Sequence, residues 1–132
     1  RRKVESGVSF LVTQLFFDND MYLRFMDRLA AKNITVPVQA GIMPVTNRKQ
    51  VERIVQLTNA TIPRKLIRIL DKFEHNKEAV KDAGIAFATE QIIELLAHDV
   101  SGINLYTMNR PQVAEEIVWN LKSIFYALNG NI

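Results

Sequence analysis

Apolar positions along this chain follow two rhythms, one suited to strands and one to helices. Phe10 to Phe17 is a short apolar, β-branched and aromatic run flanked by helical patterns, which reads as a buried parallel strand. Asp18 or Asn19 can cap the helix that follows, where Tyr22, Phe25, Met26 and Leu29 recur at i, i+3, i+4 and i+7 on one face. That helix stops near Lys32-Asn33. A second strand is expected from about Ile34 to Ile42, leaving through Gly41-Ile42-Met43-Pro44-Val45, where Gly and Pro punctuate a strand-to-loop exit.

Three helices are expected next. Thr46 or Asn47 caps the first, with Val51, Ile54 and Val55 inward; Pro63 sits where a first-turn proline belongs in the second, with Leu66, Ile67, Leu70 and Phe73. After the polar break Glu74-His75-Asn76-Lys77, a longer helix carries Val80, Ala83, Phe87, Ile92, Leu95 and Leu96. Gly102 closes the connection to a third strand, Ile103 to Met108. Asn109-Arg110-Pro111 then starts a last helix with Val113, Ile117, Leu121, Ile124 and Leu128 inward. At the other end, Arg1 to Ser6 reads as the tail of a helix stopped at Gly7, its basic residues suiting the negative dipole end.

Strands separated by helices imply crossovers and a parallel sheet, an α/β class of fold. Three parallel strands make a poor sheet alone, because both faces and both edges need cover. The chain opens Arg1-Arg2-Lys3-Val4-Glu5 with no initiator Met and no cap before its helix-like residues. Either the sheet is completed by further chain or this is an unusually small α/β unit, and the uncapped start favours the first, a chain entered in the middle.

Composition changes this picture little. With 132 residues and 48% hydrophobic content the chain suits one domain with a packed core. Net charge is +3 with basic residues scattered, which argues against nucleic acid. Cys is absent, so disulfides and thiolate metal sites are excluded, in keeping with a reducing, cytoplasmic setting. No apolar run approaches the roughly 20 residues of a membrane helix. Asn33-Ile34-Thr35 and Asn59-Ala60-Thr61 match the glycosylation pattern and, with no secretory leader before them, are read as chance.

In parallel α/β sheets and barrels, ligands sit at the carboxyl ends of the strands. That rule selects Gln14, the Gly41-to-Val45 exit, and Tyr106 to Arg110. A buried amide costs a few kcal/mol unless paired, so Gln14 should hold either backbone or a ligand. Each residue also has a plainer role: Gln14 bonding a loop, Tyr106 a core aromatic with a wet hydroxyl, Arg110 pairing with a carboxylate such as Glu115 or sitting in solvent. His75 and His98 read as solvated surface residues, and Asp18 as a cap rather than a base. No phosphate loop, nucleophile elbow or metal-ligand spacing occurs, so the residues alone describe a ligand-binding segment without its own acid, base or nucleophile.

Four motifs carry a resemblance. Thr13-Gln14-Leu15-Phe16-Phe17-Asp18, Gly41-Ile42-Met43-Pro44-Val45, Thr58-Asn59 with Ile62-Pro63, and Tyr106-Thr107-Met108-Asn109-Arg110 resemble successive motifs of the methylenetetrahydrofolate reductase family. The resemblance implies the carboxyl-terminal three strand-helix units of a (β/α)8 TIM barrel, with residues 1–132 a partial barrel domain. A whole barrel takes about 250 residues, so roughly half would be absent. It also implies an FAD flavoprotein that passes hydride from NAD(P)H to 5,10-methylenetetrahydrofolate, giving 5-methyltetrahydrofolate in one-carbon metabolism and methionine biosynthesis.

By the same resemblance, Gln14 bonds the pterin and the nicotinamide carboxamide, Gln50 is a second folate-contacting amide, and Arg110 binds folate from the last strand end. Tyr106 and Met108 line that pocket. Arg2 and Lys3 match positions that help bind FAD, suiting its phosphates. Ile54 stands where the family often has a Phe that packs on the ligand, a departure that weakens stacking there. The family's acidic residues and most of its FAD contacts would lie before Arg1, leaving no catalytic group here and an isolated segment without activity. Bare strand edges lead to an expectation of self-association or a homo-oligomer. The alternative is a noncatalytic α/β ligand-binding or scaffold module.

Overall fold

Nine elements alternate along the chain in a computed structural model that describes residues 10–58, 60–107 and 110–129. They are β1 (Leu11–Leu15), α1 (Asn19–Ala31), β2 (Val38–Ile42), α2 (Arg48–Thr58), α3 (Arg64–Phe73), α4 (Lys77–Ala97), β3 (Ile103–Leu105), α5 (Pro111–Asn120) and α6 (Lys122–Asn129). The sheet is parallel with order β1-β2-β3, pairing Leu11 with Val38 and Gly41 with Asn104. The expected α/β class holds, as does the order of elements from β1 to β3, while the expected last helix is two, α5 and α6. The readings at Arg1 to Ser6, Arg2, Lys3 and Met108 lie outside the described residues.

Local chemistry sets the helix limits. Asp18 caps α1 by accepting the Asp20 N–H at 3.0 Å, and Asn76 caps α4 by accepting the Ala79 N–H at 3.0 Å. Pro63 sits one step earlier than expected, as the residue before α3 rather than within it. Both α1 and α4 end in a left-handed residue, Asn33 (φ 59°) and Asp99 (φ 62°), followed by a backbone bond from Ile34 to Leu29 and from Val100 to Leu95. This ending delays β2. Ile34 is still tied to α1, and the first rung to β1 runs from the Leu11 N–H to the Pro37 carbonyl, so the strand begins at Val38 rather than Ile34.

One sheet face is apolar and covered by helices. Val38, Ala40 and Ile42 pack there with Tyr22 of α1, Ile85, Ala88, Ile92 and Leu95 of α4, and Val113, Ile117 and Leu121. A second core beyond the strand ends joins Phe17, Met43 and Val45 to Val51, Ile54, Leu66, Leu70 and Val80. The 21-residue α4 serves both, and at Gly84 it lies so close to the β2 exit that a Cβ would fall 1.5 Å from the Val45 oxygen. Val55, Ile67, Phe73 and Leu128, expected inward, are exposed. The buried stripes of α2 and α3 are narrower, Val51 with Ile54 and Leu66 with Leu70, and the last helix divides at the buried Leu121 into α5 and α6.

The largest departure is β1. It was expected to be buried on both faces, yet its residues alternate half-buried and exposed, with Val12 and Gln14 open. The cause is position: among the described residues β1 is an edge strand with one neighbour, β2. Among the described residues, no helix is long and apolar enough to cross a membrane.

Tyr22 gives the first core a pH limit. Its buried hydroxyl donates to the Val38 carbonyl at 2.8 Å, its ring stacks on Phe16, and burial raises the phenol above its ordinary value of 10.0. The unfolded chain therefore ionises first as pH rises. The stabilisation is intact below pH 10.0 and is lost upward through the raised value. In denaturant titrations, Tyr22→Phe should cost about 1 kcal/mol at neutral pH and flatten part of the alkaline decline. Ser101 still donates to Val38 at 2.9 Å, which keeps that cost low. An unchanged alkaline profile would refute the assignment.

Candidate functional site

Gln14 sits near the carboxyl end of β1 in a groove of about 400 Å³, with Val12, Leu15, Met21, Phe25 and Thr58 around it. Its backbone is held locally. The ladder between β1 and β2 slips between Val12 and Leu15, and the Thr13 hydroxyl accepts the Gly41 N–H at 2.9 Å. A Cβ on Gly41 would lie 2.8 Å from the Thr13 carbonyl, so glycine is what lets the strands close there. Among the described residues the Gln14 amide has no hydrogen-bond partner, and it is exposed. Gln14 is therefore not the costly buried amide expected of this strand. What the groove offers is a free amide, donor and acceptor in one plane, beside apolar walls.

The sheet face opposite the first core is polar and half-buried at Gln39 and Asn104. Asn104 of β3 donates to the Gln39 oxygen at 3.0 Å across the strands, and Gln39 in turn crowds Gly102. Pattern reading singled out neither amide. Both occupy alternate positions to the apolar Ala40 and Ile103, a period-2 signal masked by the short strands.

At the exit of β2 the chain turns sharply into α2. Asn47 and Gln50 form a reciprocal cap: the Asn47 Oδ1 accepts the Gln50 N–H at 3.0 Å, and the Gln50 Oε1 accepts the Asn47 N–H at 3.3 Å. Gln50 Oε1 also accepts from the Thr46 N–H at 2.7 Å and from its hydroxyl at 3.1 Å. The Gln50 oxygen is thereby used up, and its amide nitrogen is the side that can serve a ligand. Arg48, next in the turn, pairs with Asp71 and lies 3.6 Å from Glu74, a surface contact of small worth.

Arg110 reaches the same turn from the β3 side. It precedes α5, is exposed, and donates from Nη1 to the Thr46 hydroxyl at 3.5 Å; it does not pair with Glu115. Tyr106 is exposed, and its N–H donates to the Ile42 carbonyl at 2.9 Å. Gln50 and Arg110 are thus brought together through Thr46, Tyr106 stands on the neighbouring strand end, and the Gln14 groove does not include these three. Ile54 is buried in the second core among Val51, Leu66 and Leu70 rather than on the open face. His75 and His98 are exposed at helix ends, and Asp18 is spent on its cap.

The family model for methylenetetrahydrofolate reductase matches residues 1–122. Methylenetetrahydrofolate reductase (NADH) 1 of Arabidopsis thaliana is 39% identical over 121 residues, covering 92% of this chain and 20% of that protein. The Zea mays protein of the same name is 37% identical over 121 residues, with the same coverages of 92% and 20%. The 5,10-methylenetetrahydrofolate reductase of Escherichia coli (strain K12) is 34% identical over 121 residues, covering 92% of this chain and 41% of that protein. The chain spans about a fifth of the plant relatives and two fifths of the bacterial one.

Proposed function

The chain belongs to the methylenetetrahydrofolate reductase family, and from that premise we propose that it supplies part of a reductase pocket for 5,10-methylenetetrahydrofolate and a nicotinamide nucleotide. In this reading the three strands are the last three of a (β/α)8 barrel. The exposed edge of β1 is where a preceding strand would pair, and the polar sheet face that carries Gln39 and Asn104 would look into the barrel.

The observation that carries the reading is the exposed Gln14 amide in its groove, without a hydrogen-bond partner among the described residues. A planar donor and acceptor matches the edge of a pterin and equally a carboxamide, so one residue can serve two ligands in turn. Gln50 and Arg110 both present donors, which suits acceptor oxygens of a folate. Tyr106 and Met108 would line the same pocket, and Ile54 would act from beneath as core. FAD would supply the hydride relay between the two substrates. It enters through the family, and the residues that the resemblance assigns to it, Arg2 and Lys3, lie outside the described residues. NADH as donor is supported by the names of the plant relatives.

The test uses two proteins. The full protein that carries this chain should oxidise NADH or NADPH in proportion to 5-methyltetrahydrofolate formed. Residues 1–132 alone should purify without a flavin spectrum and leave NADH untouched. A full protein with no folate-dependent oxidation would refute the reductase reading. A yellow, active 132-residue chain would refute the proposal that the pocket needs more strands.

A further inference from the structure

Thr46 has only 7% of its surface exposed, yet its polar atoms run to two residues assigned to ligand binding. Its N–H and hydroxyl both donate to Gln50 Oε1, at 2.7 and 3.1 Å, and the hydroxyl oxygen accepts from Arg110 Nη1 at 3.5 Å. The proton count is consistent. A hydroxyl has one hydrogen, which goes to Gln50, and its lone pairs remain for the guanidinium.

This arrangement does two things. It joins the β2 exit to the segment after β3, across a separation of 64 residues in sequence. It also turns the Gln50 oxygen inward onto three donors, and engages one of the five Arg110 N–H groups while the others stay available. Arg110 is exposed on a long, rotatable side chain and, among the described residues, makes no salt bridge. Without an anchor it would have to be ordered by the ligand itself, at a cost in affinity.

We propose that Thr46 is a positioning residue that orients the Gln50 amide and the Arg110 guanidinium toward one ligand. This rests on the reading that Gln50 and Arg110 bind the folate. Thr46 touches no substrate; it acts through the other two.

The experiment compares Thr46→Val and Thr46→Ser in the full protein that carries this chain. Valine keeps the shape and removes the hydroxyl. Gln50 Oε1 then retains the Thr46 and Asn47 N–H donors, so the cap of α2 survives. The expected result for Thr46→Val is a KM for methylenetetrahydrofolate raised about tenfold, the size of one hydrogen bond, with Thr46→Ser close to the parent. NADH oxidation by a small quinone in place of folate should be unchanged in both. Equal behaviour of the two variants, or an unmoved KM in Thr46→Val while Arg110→Ala and Gln50→Ala raise it, would overturn the positioning role and leave the pocket reading standing. If Arg110→Ala and Gln50→Ala also leave KM unmoved, the folate assignment falls, and this inference with it.

Discussion

Gly84→Ala is expected to be the most damaging single-methyl change in the chain. Alanine is normally the better helix residue by about 1 kcal/mol, so an exposed helical glycine would gain from the change. At Gly84 the added carbon would sit 1.5 Å from the Val45 oxygen and 2.6 Å from its carbonyl carbon, both main-chain atoms that cannot rotate away. α4 or the β2 exit must move by more than an ångström, and both are anchored: Val45 in the second core, Ile85 and Ala88 in the first. Overpacking of this kind costs upward of about 3 kcal/mol, which outweighs the helical gain. Thermal unfolding of the full protein should fall by about 10 °C or more, or soluble yield should collapse. Among the described residues the three glycines should rank by what they meet. Gly41→Ala presses on the Thr13 carbonyl at 2.8 Å and should be intermediate; Gly102→Ala meets only the flexible Gln39 side chain at 3.1 to 3.3 Å and should be mild. A Gly84→Ala protein as stable as its parent would contradict the close approach of α4 to Val45. Because Thr46 follows Val45 directly, a surviving variant should also bind folate more weakly.

Element order was legible because it is written in local chemistry. The Asp18 cap, the polar break Glu74-His75-Asn76-Lys77, the Pro63 start and the apolar stripes of Tyr22 and Leu66 act within a few residues of themselves. Burial was less legible, since it depends on neighbours. Phe10 to Phe17 has the composition of a central strand, and only the sheet order puts it at an edge with Val12 and Gln14 uncovered. Gly84 and Thr46 escaped notice for a related reason. Nothing near Gly84 in the chain announces Val45, and Thr46 reads as a cap candidate until Arg110 arrives from the other end. In α4 the buried Gln91, which donates to the Phe16 carbonyl at 3.0 Å, was likewise hidden within a helix that packs on two cores.

Gln14→Ala should leave the fold intact and damage the proposed chemistry. The Gln14 side chain is exposed and bonds to nothing among the described residues, so removing it costs the protein little; its melting temperature should stay within about 2 °C of the parent. A ligand that relies on the amide loses one or two hydrogen bonds in a partly apolar groove, about 1–3 kcal/mol, so kcat/KM for methylenetetrahydrofolate should fall by about 10- to 100-fold. Gln14→Glu separates the two halves of the amide. It keeps an acceptor, loses both donors and adds charge beside Val12, Leu15 and Phe25, so it should be at least as impaired as alanine toward a ligand that needs a donor. If one amide serves both substrates, the KM for NADH should rise along with that for folate; a rise for folate alone would confine Gln14 to the pterin. The outcome that removes Gln14 from the site is a lowered melting temperature with unchanged kinetics in the surviving enzyme, since that is the signature of an amide that holds the protein rather than its ligand.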